Sequence, residues 1–324
     1  MIKEFSLSFR EAISRGLSES TAKSIPCRFL YDDIGTDLFN KITQLDEYYL
    51  SRAETEILSL QSGAIARKIE PPIGQVVEFG CGDSEKSALI VRHFADQGAL
   101  TYIPVDISAR AIDSLSKKLS ADLPGLKIDP RIQNYFDFLS APHLPQQESG
   151  RLFLFLGSNI GNYDPGVQLH LVQSIRKHMS TSDYALIGLD LKKDLNLLNM
   201  AYNDRAGVTA RFNFNLLERV NRELGGTFNV NTFTYHNFYN PCIGAMQSFL
   251  VSNCEQNVWI EGLSKAVSFD ALEPIHIENS FKFSIREIEL LARSAGFEVV
   301  RSYLDQNNLF VESLWKAIES ENDK

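Results

Sequence analysis

Between Val76 and about residue 194, short apolar runs alternate with longer segments of mixed polarity. Val76–Phe79, Thr101–Val105, Lys127–Ile132, Arg151–Leu156 and Tyr184–Asp190 are predicted strands, and Ala109–Leu119 and Pro165–His178 are predicted helices between them. This strand–helix rhythm implies a parallel sheet. It breaks afterwards. Residues 200 to about 285 are rich in Asn and aromatic side chains, as in Arg211-Phe212-Asn213-Phe214-Asn215, and alternating apolar positions through Met246–Ser252 predict antiparallel strands. A helix follows, capped by Ser284 and closed near Gly296, and then two closing strands, Phe297–Leu304 and Leu309–Trp315. Ahead of the sheet, residues 1 to about 60 read as helical, with Ser51 and Glu54 as a capping-box start. The expected fold class is α/β: a doubly wound core of residues 61–197 and 286–324, and a second α+β domain of residues 1–60 and 198–285.

The chemistry of the core concentrates in Glu78-Phe79-Gly80-Cys81-Gly82-Asp83-Ser84-Glu85-Lys86 and in Tyr102-Ile103-Pro104-Val105-Asp106. These read as a buried strand, a glycine-rich turn, a helix start, and a second strand ending in a carboxylate. Doubly wound sheets bind nucleotides at the carboxyl ends of their strands. Gly80 and Gly82 remove Cβ atoms where a ligand must approach the backbone, and Asp106 is placed to take two ribose hydroxyls. A dinucleotide fingerprint needs a third glycine at position 85, which is Glu85. A hydride-transferring dehydrogenase therefore fits poorly. A tight strand-to-helix turn that holds no ligand remains open.

Composition narrows the classes. The 324 residues, 44% hydrophobic and 23% charged, suffice for one large core or two modest ones. The net charge of −9, with no long Lys/Arg run, gives no nucleic-acid footprint. Cys27, Cys81, Cys242 and Cys254 match no zinc spacing and form no C-x-x-C, and each reads as a small buried hydrophobe. Met1–Phe5 carries no secretory pattern, no apolar run approaches the roughly 18 residues of a membrane span, and the tail from Glu319 reads as solvated. The expectation is a cytoplasmic, metal-free protein acting on a small molecule as a monomer, without nucleic-acid or membrane partners.

Taken together, several segments resemble the histidine-specific Nα-methyltransferases of ergothioneine biosynthesis. The turn, Glu78-x-Gly80-x-Gly82, is similar to the acidic-x-Gly-x-Gly form of S-adenosylmethionine methyltransferases. The other segments are Phe29–Phe39, Glu47-Tyr48-Tyr49, Arg52-Ala53-Glu54, Gly157-Ser158-Asn159-Ile160-Gly161-Asn162, Asp190–Asp194, Ala201-Tyr202-Asn203-Asp204 and Glu278-Asn279-Ser280-Phe281-Lys282-Phe283. They run in order from about Phe29 to Trp315. The resemblance implies a class I S-adenosylmethionine-dependent core with a substrate-binding second domain. It also implies three methyl transfers to the α-amine of L-histidine, giving the betaine hercynine by in-line displacement.

The resemblance also implies roles. Gly80, Gly82, Lys86 and Asp106 would hold S-adenosyl-L-methionine, with Lys86 near its methionine end. Asn134 and Tyr135 would lie near the adenine; Gln133-Asn134-Tyr135 stands where the family usually has Gly-Asp-Phe, so Asn134 accepts without charge. Asn162 and Tyr202 would hold the substrate carboxylate, and Gly157 would leave room beside the reacting nitrogen. Glu278 and Ser280 would select the imidazole, with Met246 near the ring; their i, i+2 spacing puts both on one face of an extended segment. Tyr31, Phe39 and Tyr48 would surround the amine, whose cationic products aromatic faces favour, and a hydroxyl from Tyr31 or Tyr48 could accept a proton through water. Without the resemblance, the aromatic stretch reads as helix packing. Tyr202 then reads as a half-buried core residue, Asn134 and Asn162 as loop residues, and Glu278 and Ser280 as polar positions on a surface strand. Alternatives are an N-methyltransferase for another aromatic or modified amino acid, and a non-catalytic protein that binds an adenosyl ligand.

Overall fold

An eight-stranded sheet runs edge to edge as Phe297–Leu304, Phe310–Ala317, Tyr184–Asp190, Gly150–Phe155, Ile73–Phe79, Thr101–Asp106 and Lys127–Ile128, with Arg131–Ile132 also paired to Thr101–Asp106. The structure, a computed structural model, describes residues 7–18, 22–70, 72–82, 86–142, 144 and 149–319. Asp83–Glu85 of the glycine turn, the N-terminal Met1–Phe5 and the tail beyond Glu319 lie outside the described residues. The chain divides into two units, Met1–Tyr49 with Lys193–Phe281, and Leu50–Lys192 with Lys282–Lys324.

The second of these is the sheet unit. Its strands from Tyr184–Asp190 across to Thr101–Asp106 are parallel, and Phe310–Ala317 enters antiparallel beside Tyr184–Asp190. Helices cover both faces, so the central strands carry apolar residues on both faces rather than at alternate positions only. Val76, Tyr102, Leu152, Leu154 and Leu186 share a core with Ile57 and Ile65 of helix Tyr49–Ala66 and with Ile90, Val91 and Leu115 of the helices that follow. On the other parity, Phe79 packs against Phe153, Phe155 and Phe138 at centroid distances of 5.8 to 6.3 Å. From Ile73–Phe79 the chain moves to Thr101–Asp106 on one side, then returns to Gly150–Phe155 on the other. That reversal opens a crevice at the strands' carboxyl ends.

Several expectations change here. The single strand Lys127–Ile132 is two short pieces, Lys127–Ile128 and Arg131–Ile132, because Pro130 between them has no N–H to give to a ladder. The helix expected to start at a Ser51 cap begins at Tyr49, and Ser51 lies in its first turn. The same helix moves the N-terminal boundary from 60 to Tyr49/Leu50, since Ala53, Ile57, Leu58, Ile65 and Ala66 belong to the sheet unit's core. The other boundaries fall at Lys192/Lys193 and Phe281/Lys282, in place of 197 and 285.

The other unit is built on a four-stranded sheet in the order Lys23–Ser24, Pro274–Phe281, Ala245–Ser252, Phe233–Asn240. The N-terminal segment is therefore not wholly helical: Lys23 and Ser24 pair in parallel with Ile275 and His276. A helix not foreseen in the Asn-rich insertion, Val208–Leu224, supplies Phe212, Leu216, Leu217 and Val220 to the core. Its i, i+4, i+5, i+8 spacing forms one apolar face. Two of its buried amides donate within the unit: Asn213 Nδ2 to the Thr209 carbonyl at 2.9 Å, and Asn215 Nδ2 to Asp32 Oδ1 at 2.8 Å. Asp204 accepts the Val208 and Thr209 N–H groups, each at 2.8 Å. Cys81 is buried, but Cys242 and Cys254 are exposed, because both lie in turns between strands. Among the described residues, no helix is long and apolar enough to cross a membrane.

Candidate active site

The sheet unit gathers Gly80, Gly82, Lys86, Asp106, Asn134, Tyr135, Gly157 and Asn162. Gly80 and Gly157 follow the two strands that flank the crevice, at φ +66° and +75°. A side chain is disfavoured there by conformation alone, and a Cβ on Gly80 would lie 3.2 Å from Asn159 Nδ2. The backbone is thus bare where a ligand would approach it. Asp106 ends its strand with one oxygen accepting the Gly82 N–H at 3.0 Å and the other accepting the Ser108 N–H at 2.8 Å. A carboxylate offers about four acceptor positions, the chemistry that a vicinal diol requires. The cradle and the carboxylate fit an adenosyl ligand.

Asn134 caps helix Tyr135–Ser140, its Oδ1 accepting the Phe136 N–H at 2.8 Å. Tyr135 is half-buried, edge-on to Phe155 at 5.5 Å, and its hydroxyl bonds that of Tyr163. Asn162 closes the short turn Asn159–Asn162 and is half-buried.

Sequence reasoning used Glu54 only as a capping partner. It is 1% exposed, pairs with the Lys86 ammonium and accepts the Gly157 N–H. The signal was present in Arg52-Ala53-Glu54, but the interaction spans some hundred residues of chain. Glu78 is also buried and accepts from the Tyr102 hydroxyl. Burial pushes its carboxyl up to about 7, against the opposing effect of the Tyr102 hydrogen bond.

The other unit gathers Tyr31, Phe39, Tyr48, Tyr202, Met246, Glu278 and Ser280. A bulge in strand Pro274–Phe281 governs this grouping. His276 pairs with Phe249 and Glu278 with Ser248, so Ile277 is the extra residue. One extra residue inverts the alternation beyond it. Glu278 and Ser280 consequently share the face of Ile275 and stand opposite Ser248 and Met246, both buried. Without the bulge they would share the face of His276.

On that face the Tyr202 and Ser280 hydroxyls are 2.8 Å apart. The Tyr202 carbonyl is held by the Tyr235 hydroxyl at 3.1 Å and by the Asn237 amide. Phe39 stands edge-on to Tyr31 at 5.4 Å and to Tyr48 at 6.2 Å. Phe212, read in sequence only as part of an Asn-rich aromatic stretch, completes the group at 5.4 Å from Tyr31. Enclosure of the Tyr31 hydroxyl, then the nearby Glu278, Tyr48, Cys27 and Tyr202, holds its pKa well above the usual phenol range. Tyr31 therefore stays a neutral phenol, able to donate or accept a hydrogen bond but not to serve as a phenolate base. Cys27 is close enough for Glu278 to push its thiol upward, after the larger effect of burial. No local pattern betrayed Cys27; it follows the short Lys23–Ser24 strand. The arrangement offers a carboxylate, two hydroxyls and aromatic faces, a set suited to a small cationic or imidazole-bearing ligand.

A family model described as "Histidine-specific methyltransferase, SAM-dependent" matches residues 9–317. The chain is 33% identical over 311 residues to a histidine N-alpha-methyltransferase from Mycobacterium tuberculosis (strain CDC 1551 / Oshkosh), covering 95% of this chain and 94% of that protein. It is 33% identical over 298 residues to the protein of the same name from Mycolicibacterium smegmatis (strain ATCC 700084 / mc(2)155), covering 91% of each. Ergothioneine biosynthesis protein 1 from Schizosaccharomyces pombe (strain 972 / ATCC 24843) is 28% identical over 296 residues, which are 86% of this chain and 37% of that protein.

Proposed function

The chain belongs to the family of histidine-specific, S-adenosylmethionine-dependent methyltransferases, and from that membership we propose that it methylates the α-amine of L-histidine three times, giving the trimethylated betaine. The observation that carries the choice of substrate is the bulge at Ile277, which aligns Glu278 and Ser280 beside Tyr202 and within reach of the Tyr31 aromatic group.

S-Adenosylmethionine supplies an electrophilic methyl group on a sulfonium. In this reading Asp106 accepts its ribose hydroxyls, while Gly80 and Gly157 let its body lie against the backbone. Glu278 accepts a ring N–H of the imidazole, Ser280 fixes the ring's second edge, and the Tyr202 phenol donates to the substrate carboxylate. The α-amine has a pKa of about 8, so a useful fraction is already neutral near that pH. Each transfer joins the nitrogen lone pair to the methyl carbon as the carbon–sulfur bond breaks. The first two transfers leave an ammonium that must lose a proton before the next. Tyr31 remains a phenol throughout, so that proton goes to water rather than to a Tyr31 phenolate. Phe39, Tyr31 and Tyr48 favour the growing cation by about 0.5–2 kcal/mol. Positioning is the main catalytic effect in such a displacement.

Calorimetric titration of histidine into protein saturated with S-adenosylhomocysteine tests the substrate assignment. Glu278→Ala should weaken histidine by about 10- to 100-fold, the loss of a charged hydrogen bond, and leave the nucleoside affinity unchanged. Equal histidine affinity in the variant would remove Glu278 from the recognition of the imidazole.

A further inference from the structure

Glu312 lies in strand Phe310–Ala317 directly opposite Gly188 of strand Tyr184–Asp190, and its side chain is wholly buried. Among the described residues, no N–H or hydroxyl donor reaches either of its oxygens. An ionised carboxylate cannot persist in such surroundings; it keeps a proton instead.

The group that faces it is Glu54. A Cβ placed on Gly188 would lie 2.8 Å from Glu54 Oε1 and 3.0 Å from Glu312 Oε1. The bare glycine therefore leaves the space in which the two carboxyl groups approach to hydrogen-bond range. Two carboxyl groups can bond only by sharing a proton. Glu54 is placed as the acceptor, because it already pairs with the Lys86 ammonium and accepts the Gly157 N–H. The other titratable groups around Glu312 are Glu78, which opposes its ionisation, and Lys86, which favours it. Tyr303 is its cross-strand neighbour, but the Tyr303 hydroxyl is committed to the Ala64 carbonyl at 3.3 Å. Burial and then the Glu54 charge hold the Glu312 carboxyl well above the ordinary carboxylate range.

We propose that Glu312 keeps its proton at neutral pH and donates it to Glu54, fixing the carboxylate that orients the Gly157 N–H and the Lys86 ammonium for the adenosyl ligand. Glu312 is thus a positioning residue that acts through Glu54. The positioning role rests on the adenosyl-binding reading of the sheet unit; the retained proton does not.

Two variants separate the claims. Glu312→Gln keeps the shape and an N–H donor toward Glu54, whereas Glu312→Leu keeps the volume and removes the donor. The native-minus-E312Q infrared difference at neutral pH should show the carbonyl stretch of one neutral carboxylic acid, over and above the band that Glu78, raised to about 7, contributes to both proteins. Absence of that difference overturns the retained proton. By calorimetry, E312Q should bind S-adenosylhomocysteine within about threefold of the native protein, and E312L should bind it at least about tenfold more weakly. Equal binding by E312L overturns the positioning role.

A pH series adds a readout that packing alone would not move. A carboxyl neutral in the fold stabilises it fully below the ordinary value of about 4.3, and that contribution is lost as pH rises toward the folded value. The E312Q midpoint should therefore gain on the native one as pH rises above that value; parallel curves contradict the proposal. Native protein that binds no S-adenosylhomocysteine would refute the adenosyl reading and the positioning role with it, while the infrared difference still decides the proton.

Discussion

Lys282 and Asp190 form an ion pair at 2.9 Å in which both side chains are 0% exposed. Asp190 ends strand Tyr184–Asp190, its N–H donates to Ser158 Oγ at 2.9 Å, and its carbonyl accepts the Phe283 N–H at 2.9 Å. The pair thus sits where the Gly157–Ser158 loop, the end of a central strand and the segment leading into helix Ile285–Ser294 meet. Lys282→Met preserves length and most of the volume but leaves Asp190 without its cation. Removing one partner of a buried pair costs about 3–5 kcal/mol. For a unit of this size, each kcal/mol moves the midpoint by about 2–4 °C, so the expected fall is about 6–20 °C. Replacing both partners by apolar residues of similar size is commonly neutral or stabilising. The double variant D190L/K282M should therefore recover most of the loss.

Urea unfolding followed by the fluorescence of Trp315, buried in the sheet unit, in a Trp259→Phe background measures this directly. Lys282→Met within about 1 kcal/mol of the parent, or a double variant no more stable than Lys282→Met, would refute the claim that the unpaired charge is what costs stability.

Further outcomes follow from other groups. Burial raises Glu78 from 4.5 to about 7. Its stabilising contribution is thus complete below about pH 4.5 and lost as pH rises through 7, by about 3 kcal/mol in all. The urea midpoint of Glu78→Gln should lose this slope relative to the native protein, and an unchanged slope would contradict it. Burial acts to raise Asp204, but the hydrogen bonds from Thr209 and Val208 outweigh it and lower its pKa. Asp204→Ala, which removes the acceptor of two N–H groups in the first turn of helix Val208–Leu224, should cost about 1–2 kcal/mol at neutral pH, a deficit that closes as pH falls and the native carboxylate protonates; a deficit independent of pH in denaturant titrations would argue against these bonds. Asp106→Asn keeps a carbonyl oxygen for one backbone donor but loses the charge. S-Adenosylhomocysteine affinity should fall about 10- to 100-fold with histidine affinity unchanged, and a change in the opposite pattern would move Asp106 out of the nucleoside site.

The parallel sheet was legible because its strands are covered on both faces, so Val76–Phe79 and Tyr184–Leu189 stand out as largely apolar runs, Glu78 apart. The helix Val208–Leu224 was not. Asn213 and Asn215 break its apolar pattern, and only the fold reveals Thr209 and Asp32 as their partners. The i, i+2 spacing of Glu278 and Ser280 shows that they share a face, but the choice of face depends on the bulge at Ile277, which is set by pairing with another strand. The cap assigned to Ser51 failed for a related reason: Glu54 is drawn into the sheet unit by Lys86 and Gly157 instead of folding back on its own helix. Glu312 falls in the closing strand Leu309–Trp315, where local pattern gives no sign that Gly188 and Glu54 stand opposite it. Local pattern shows periodicity and turns; contacts that close over long stretches of chain leave no trace in it.

The most direct test of the central claim is a competition. The purified protein is incubated with S-adenosylmethionine and an equimolar mixture of the common L-amino acids, and the products are read by mass spectrometry. The account predicts a gain of three methyl groups on histidine alone. Methylation of a different amino acid in preference to histidine would contradict it.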